Sequence, residues 1–253
     1  MDTTEKFNGL AEIYTTGRPT YADKFLADLY ETFGFSAKSV LADIGSGTGK
    51  FAKQVIERES YVYCIEPNED MRKQLIKELE KYENSCLREG DAANTTLPDH
   101  SVDFITVAQA FHWFDTKLFK NECNRIIKED GRIFLIWNIR DMNLGLTQES
   151  YDIYKKYCPE FKGFGGGIQK DDTRIKVLFD DQYERLEYDN PLLYDRDKFI
   201  NRSLLGSYSL KQNDVDYGNY INELELLFDK YSNNDVIIMP NKTIVYVGMC
   251  MRD

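Results

Sequence analysis

Two histidines, His100 and His112, in 253 residues leave little for a histidine-based metal site. The five cysteines, Cys64, Cys86, Cys123, Cys158 and Cys250, are odd in number and scattered, with no C-x-x-C pair. They read as reduced core thiols and not as disulfides or zinc ligands. No stretch approaches the roughly 18 apolar residues of a membrane span, and the start of the chain has no basic segment followed by an apolar run. Basic residues are also short: 32 Lys and Arg against 43 Asp and Glu give a net charge of −11. That charge repels polyanions, which argues against nucleic acid and anionic membrane as partners and leaves room only for a local basic pocket. No repeat or low-complexity segment appears. The expectation is a cytoplasmic protein without a metal. Its oligomeric state is not written in the sequence.

What is present suits a packed core: 42% of residues are hydrophobic and 13% aromatic. The length fits one domain, or one domain with an elaborate insertion. The informative stretch is Val40-Leu41-Ala42-Asp43-Ile44-Gly45-Ser46-Gly47-Thr48-Gly49-Lys50-Phe51. A short apolar run, an acid near its end, three alternate glycines and a helical pattern read as strand, tight loop and helix. Such a loop holds something polar at a sheet edge, because glycine lets a ligand approach the backbone and the helix start offers free N–H groups. A phosphate-binding P-loop needs G-x-x-x-x-G-K-[S/T]. Here Ile44 stands at the first glycine position and Phe51 follows Lys50. A dinucleotide fingerprint needs G-x-G-x-x-G. Gly45 and Gly47 fit it, but the third position is Lys50.

The strand–helix alternation continues along the chain. A helix is predicted from Thr20, as cap, to about Phe33. Tyr61 to Ile65 forms a strand ending at Glu66-Pro67, and Asn68 caps a helix carrying Met71, Leu75 and Leu79 on one face. A short strand near Cys86-Leu87 ends at Gly90-Asp91. Asp103 to Ala108 is a strand leading into Gln109-Ala110-Phe111-His112-Trp113-Phe114-Asp115. A helix from about Thr116 to Lys128 should turn Leu118, Phe119, Cys123, Ile126 and Ile127 inward, before Asp130-Gly131 turns the chain into a strand ending at Trp137. Tyr151 to Tyr157 is helical, Tyr183 to Tyr188 and Thr243 to Met249 are strands, and 190–235 is a mostly helical insertion before the last strand. This alternation predicts an α/β fold of parallel βαβ units with helices on both faces.

In such sheets ligands sit beyond the carboxyl ends of the strands. The residues there are Asp43 with its glycines, Glu66, Asp91, Gln109, and Asn138 with Arg140. The Asp-x-Gly-x-Gly-x-Gly pattern resembles the first motif of class I S-adenosylmethionine (SAM) methyltransferases. Residues 108–115, together with Tyr14-x-x-x-Arg18-Pro19, resemble the trans-aconitate methyltransferase-like branch of the small-molecule "type 11" group, over roughly residues 7–138. The resemblance implies a Rossmann-like seven-stranded sheet whose last strand inserts antiparallel beside the sixth. It also implies an N-terminal segment, 1–35, over the cofactor, with Tyr14 and Arg18 holding the SAM carboxylate.

SAM fits the other strand ends. Glu66, followed by Pro67, can accept from both ribose hydroxyls. Asp91 can accept from the adenine amine while the Ala92 N–H donates to a ring nitrogen. Asp43, Gly45, Ser46 and Gly47 lie near the methionine end, Gln109 is a further cofactor-binding candidate, and the sulfonium, a cation, tolerates aromatic faces and acceptor oxygens nearby. Each of these residues also has an ordinary use as a cap, a turn or a buried polar group.

Methyl transfer is an in-line displacement that needs alignment and a dry site. A carboxylate acceptor needs no base; for other acceptors His112 is the candidate. Arg140, His112, Trp113 and Tyr208 are the candidate substrate residues, and the insertion, with Arg196, Arg202, Ser203, Ser207 and Tyr208, is the candidate lid. The expected function is methyl transfer from SAM, with S-adenosylhomocysteine (SAH) as product, to a small molecule such as a carboxylic acid. The alternatives are a non-catalytic SAM-binding protein and a nicotinamide-dependent oxidoreductase.

Overall fold

The structure is a computed structural model that describes residues 19–164, 167–168, 171–206 and 208–249. Tyr14, Arg18 and Ser207 lie outside the described residues. The chain divides into two compact units, one of residues 1–137, 167–188 and 243–253, the other of 138–166 and 189–242.

The first unit follows the alternation in the sequence. Its elements begin with α1 (Asp23–Glu31), β1 (Val40–Ile44), α2 (Lys50–Ile56), β2 (Tyr61–Ile65), α3 (Glu69–Leu79) and β3 (Ser85–Arg88). They continue with β4 (Val102–Ala108), α4 (Thr116–Ile126) and β5 (Ile127–Arg140), and end with α6 (Thr173–Phe179), β6 (Tyr183–Asp189) and β9 (Asn241–Gly248). The last residues of β5 and β6 and the first of β9 belong to the second unit. Seven strands form one sheet in the order β3-β2-β1-β4-β5-β9-β6. The pairs β1–β2, β1–β4, β2–β3 and β4–β5 are parallel. The last strand thus lies beside the sixth, between it and β5. Because order reverses on either side of β1, the carboxyl ends of β1 and β4 flank a topological switch point, where such sheets bind ligands.

Local signals explain most boundaries. Asn68 caps α3 by accepting the Met71 N–H at 2.9 Å, and Met71, Leu75 and Leu79 are buried as their spacing predicts. Asp115 caps α4 by accepting from the N–H groups of Lys117 and Leu118. Three expectations need correction. Helix α1 begins at Asp23 instead of being capped by Thr20, because the Ala22 N–H is held by Thr243 Oγ1 at 3.0 Å, a bond across the fold. Leu118 is 52% exposed, since the inward face of α4 runs through Phe119, Glu122, Cys123 and Ile126. The Asp130-Gly131 turn sits inside a bulge: Val102 pairs with Ile127 but Phe104 with Arg132, so the extra residues loop out within a continuous β5. Helix α6, capped by Asp172, was not expected.

The second unit contains α5 (Gly145–Tyr157), β7 (Leu192–Tyr194), α7 (Arg196–Leu204), α8 (Tyr217–Tyr231) and β8 (Ile237–Met239). Helices α7 and α8 are the insertion expected over 190–235. Strands β7 and β8 pair antiparallel, Leu193 opposite Ile238. Three-residue strands are too short to show a period, so the pairing was not legible in the sequence. Tyr154, Phe161, Phe199, Tyr220, Leu224, Phe228 and Ile237 fill this unit's core. Among the described residues, no helix is long and apolar enough to cross a membrane.

Aromatic packing closes the base of the sheet. Phe35, 3% exposed, stacks on Phe104 with ring centroids 4.0 Å apart and meets Phe134 edge-on at 5.5 Å. Phe35→Ala should therefore lower unfolding free energy by about 3–5 kcal/mol, and Phe35→Leu by clearly less, in urea titrations of the intact chain.

Candidate functional site

The glycine loop is fixed to the end of β2 by both backbone and side chain. The N–H groups of Gly45 and Ser46 donate to the Ile65 carbonyl at 2.9 and 3.1 Å. Ser46 Oγ donates to the Asp43 carbonyl at 2.6 Å. The Glu66 carboxylate accepts the Gly47 N–H on Oε2 and the Asn68 N–H on Oε1, both at 2.8 Å. Burial pushes the Glu66 pKa up, and the two amide bonds and the nearby Arg72 pull against it. A carboxylate has about four acceptor positions, so two remain for further donors.

Two of the loop's glycines serve different ends. Gly45 has φ +72°, and a Cβ there would stand 2.6 Å from Ala110 Cβ, so its role is close packing of the loop on the segment after β4. Gly47 has φ +57°, and a Cβ there would meet nothing within 4 Å. Gly47 is the position where the loop faces open space.

Asp43, 2% exposed, ends β1 beneath this loop. Its Oδ1 accepts from Thr106 Oγ1 at 2.8 Å, while Oδ2 is buried with no hydrogen-bond partner. Burial drives its pKa up to about 7; the Thr106 and Ser46 hydroxyls oppose this, and the Glu66 charge adds to it. A buried carboxyl with one idle oxygen is costly unless a donor arrives.

The remaining strand ends are ordered by tight local geometry. Pro67 gives its carbonyl to Arg72 Nη1 at 2.5 Å, and the same guanidinium reaches the Glu66 carbonyl at 3.1 Å and the Glu89 carboxylate at 3.4 Å. No local pattern marks Arg72 beyond its place in the first turn of α3. Asp91 Oδ1 accepts from the N–H groups of Ala93 and Asn94 at 2.7 and 2.9 Å, which makes it a turn residue, and Ala92 is half-buried beside it. Gln109 has φ +61° and donates its N–H to the Ile136 carbonyl at 2.8 Å. A non-glycine residue in the left-handed region at a strand end marks a sharply redirected chain.

The substrate candidates fall into two groups. His112 and Trp113 lie in the first unit on a 3₁₀ turn, their rings 4.8 Å apart. The His112 carbonyl accepts from Arg174 Nη1 at 3.1 Å, and Arg174 is paired with Asp172. This anchoring from α6, 62 residues away, has no local signal in the sequence. Arg140 and Tyr208 lie in the second unit. The Arg140 guanidinium stacks 4.0 Å from the Phe164 ring centroid and 5.7 Å from that of Tyr154, which Tyr208 meets edge-on at 5.7 Å. No described carboxylate pairs with Arg140, in contrast to Arg196, which is paired with Asp229. Of the other lid candidates, Ser203 is bonded within its own helix, to the Phe199 carbonyl at 2.9 Å. Among the described residues, no group of three or more His, Cys, Asp or Glu could hold a metal ion.

Three carboxylates at one sheet edge suit a ligand that brings hydroxyls, an amine and a cation. They do not suit a phosphate, which they would repel. Residues 42–135 match the family described as "Methyltransferase domain". An uncharacterized methyltransferase of Mycobacterium tuberculosis is 34% identical over 152 residues, 60% of this chain and 60% of that protein. Another from Schizosaccharomyces pombe is 30% identical over 144 residues, 56% of each. The chain thus spans somewhat over half the length of these relatives. Among solved structures, a proposed type II methyltransferase from Anaeromyxobacter dehalogenans superposes with a TM-score of 0.66 at 16% identity, covering 93% of this chain and 99% of that one. A SAM-dependent methyltransferase from Aquifex aeolicus gives 0.54 at 13%, covering 94% and 98%. At such identities these likenesses establish the fold alone. Residues 42–135 thus carry the part that resembles a methyltransferase domain, and the seven-stranded sheet that holds it has the fold of these methyltransferase structures.

Proposed function

We propose that the protein transfers a methyl group from SAM to a small-molecule acceptor, a carboxylic acid by O-methylation in the favoured case, as in the trans-aconitate methyltransferase-like branch. The observation that carries this reading is the Asp43–Glu66–Gly47 arrangement. Asp43 has a buried idle oxygen suited to an ammonium donor, Glu66 has spare acceptor positions suited to a ribose diol, and Gly47 faces open space. The nicotinamide reading is disfavoured by the same arrangement, because the Gly47 N–H that a phosphate cradle would offer is already taken by Glu66.

SAM supplies a methyl group activated on a sulfonium. The chain's own contribution is to bind, align and exclude water. Asp43, Gly45, Ser46 and Gly47 would hold the methionine end, with Tyr14 and Arg18 on its carboxylate. Glu66 and Pro67 would hold the ribose, Asp91 and Ala92 the adenine, and Gln109 the region of the sulfonium. Arg140 would anchor the acceptor, with Tyr208, His112 and Trp113 as further acceptor contacts. A carboxylate acceptor is already a nucleophile; a hydroxyl, amine or carbon acceptor would draw on His112 as base. Segment 1–35 is proposed to cover the cofactor and 190–235 to serve as a substrate lid, in a cytoplasmic enzyme.

The Asp43 carboxyl gives a pH signature. With its pKa near 7, it is largely protonated in the unliganded protein below that pH, whereas a bound ammonium requires the carboxylate. Affinity for SAH should therefore be flat above about pH 8 and fall by up to about tenfold per pH unit below about 7. Asp43→Asn should bind more weakly at pH 8 and lose this dependence; calorimetric titrations across pH check it.

Turnover tests the reaction itself. Offered SAM and a panel of small carboxylic acids and their neutral amides, the protein should form SAH with acids only. Arg140→Ala should raise KM for the best acid roughly ten- to hundredfold, the loss expected for charge-assisted bonds, with SAM affinity nearly unchanged. An unaltered KM, or an uncharged best acceptor, would remove Arg140 as the anchor.

A further inference from the structure

An ionic clamp with a buried carboxylate stands behind the loop that follows β3. Glu122, on the inward face of α4 and only 6% exposed, accepts the Thr95 N–H at 2.8 Å and the Thr95 hydroxyl at 2.5 Å on the same oxygen, Oε1. Arg125, one turn on, grips both carboxylate oxygens, Nε to Oε2 at 2.9 Å and Nη2 to Oε1 at 2.6 Å. Its remaining nitrogen, Nη1, donates to the Leu97 carbonyl and to Asp99 Oδ1, both at 2.7 Å. One carboxylate and one guanidinium thus fix the loop at residues 95, 97 and 99. This is more than capping a helix or burying a charge requires.

The loop needs such a hold. Gly90 to Thr95 doubles back so tightly that a Cβ on Gly90 would stand 2.8 Å from the Asn94 carbonyl oxygen. The Asp91 N–H closes the turn on the Asn94 carbonyl at 3.0 Å, and Asp91 Oδ1 caps Ala93 and Asn94. Thr96, a β-branched residue, is held at φ +62°, a strained conformation that persists only where surrounding bonds impose it. Fully buried Thr95, immediately before it, is the residue Glu122 takes by both donors. Asp91 and Ala92, at the other end of the doubled-back turn, are exposed or half-buried, with no buried anchor of their own described.

We propose that Glu122, oriented by Arg125, is a positioning residue for adenine recognition: it holds Thr95 so that Asp91 and the Ala92 N–H meet the edge of the base. This rests on the reading of the site as a SAM site. The clamp touches no ligand atom; it sets the register of the two groups that do. Its loss should cost discrimination at the base more than general affinity, because the glycine loop and Glu66 are anchored independently, on β2 and Asn68.

The test measures dissociation constants for SAH and for S-inosylhomocysteine, in which a carbonyl replaces the adenine amine. The intact protein should prefer SAH by roughly ten- to hundredfold, the discrimination expected when a charged acceptor loses its donor. Glu122→Gln removes the charge and half of the Arg125 pairing at nearly constant shape. Thr95→Val removes the hydroxyl donor while leaving the carboxylate and Arg125 in place, so it reports even if the first variant fails to fold. Either variant, once shown folded by its circular dichroism and melting, should lose most of the preference while S-inosylhomocysteine affinity changes by less than about threefold. That small residual change is the expectation for loop register rather than global loosening, which would weaken both ligands alike and overturn the proposal. Wild-type selectivity in the folded variants would also overturn it, with the SAM reading intact. Failure of the wild-type protein to bind SAH would remove the SAM reading, and the proposal with it.

Discussion

The Glu66 carboxylate is the interaction on which the candidate site depends. It joins two loops 19 residues apart in sequence by accepting the Gly47 N–H, and it closes the start of α3 by accepting the Asn68 N–H. Both bonds are made by a nearly buried charged group, where hydrogen bonds to a carboxylate are stronger than neutral ones and an unmade bond is expensive. The glycine loop therefore holds its curvature without a phosphate to organise it. With the Gly47 amide occupied, the chemistry the edge offers shifts from anion binding to acceptance of hydroxyls and amines. Asp43 reinforces this: burial raises its pKa, the nearby Glu66 charge adds to the rise, and one of its oxygens is left idle.

Much of the first unit was legible because its signals are local. An apolar run ending in an acid, a glycine alternation, Asn68 before an i, i+4, i+8 stripe: each is set within a dozen residues by backbone sterics and periodicity. The strand ends could be read together because an α/β sheet brings them to one edge whatever the loops between them do. The structure places Asp43, Gly45, Ser46, Gly47 and Glu66 about one loop, as that logic requires.

What was not legible depends on contacts distant in sequence. The start of α1 is set by Thr243, the His112 carbonyl is held by Arg174, and Thr95 by Glu122; no window of the sequence contains both partners. Leu118 faces outward for a related reason. Counting apolar residues would turn it inward, whereas the buried stripe runs through Glu122, a charged residue that pattern reading puts outside but that Arg125 and Thr95 pay to keep in. The β7–β8 pair and the aromatic setting of Arg140 likewise come from packing in the second unit. Arg140 stands out in the sequence by its charge alone; its stacking on Phe164 and Tyr154 comes from contacts distant along the chain.

The central question is whether Glu66 serves a ligand as well as the loop. Calorimetric titration of SAH into the wild-type protein and into Glu66→Ala decides it. One site in the wild type, and a dissociation constant about ten- to hundredfold weaker in a variant that remains folded, is the result expected for a carboxylate that takes two ribose hydroxyls. Equal constants would make Glu66 a structural staple only, and no binding by a folded wild-type protein would contradict the site as a whole.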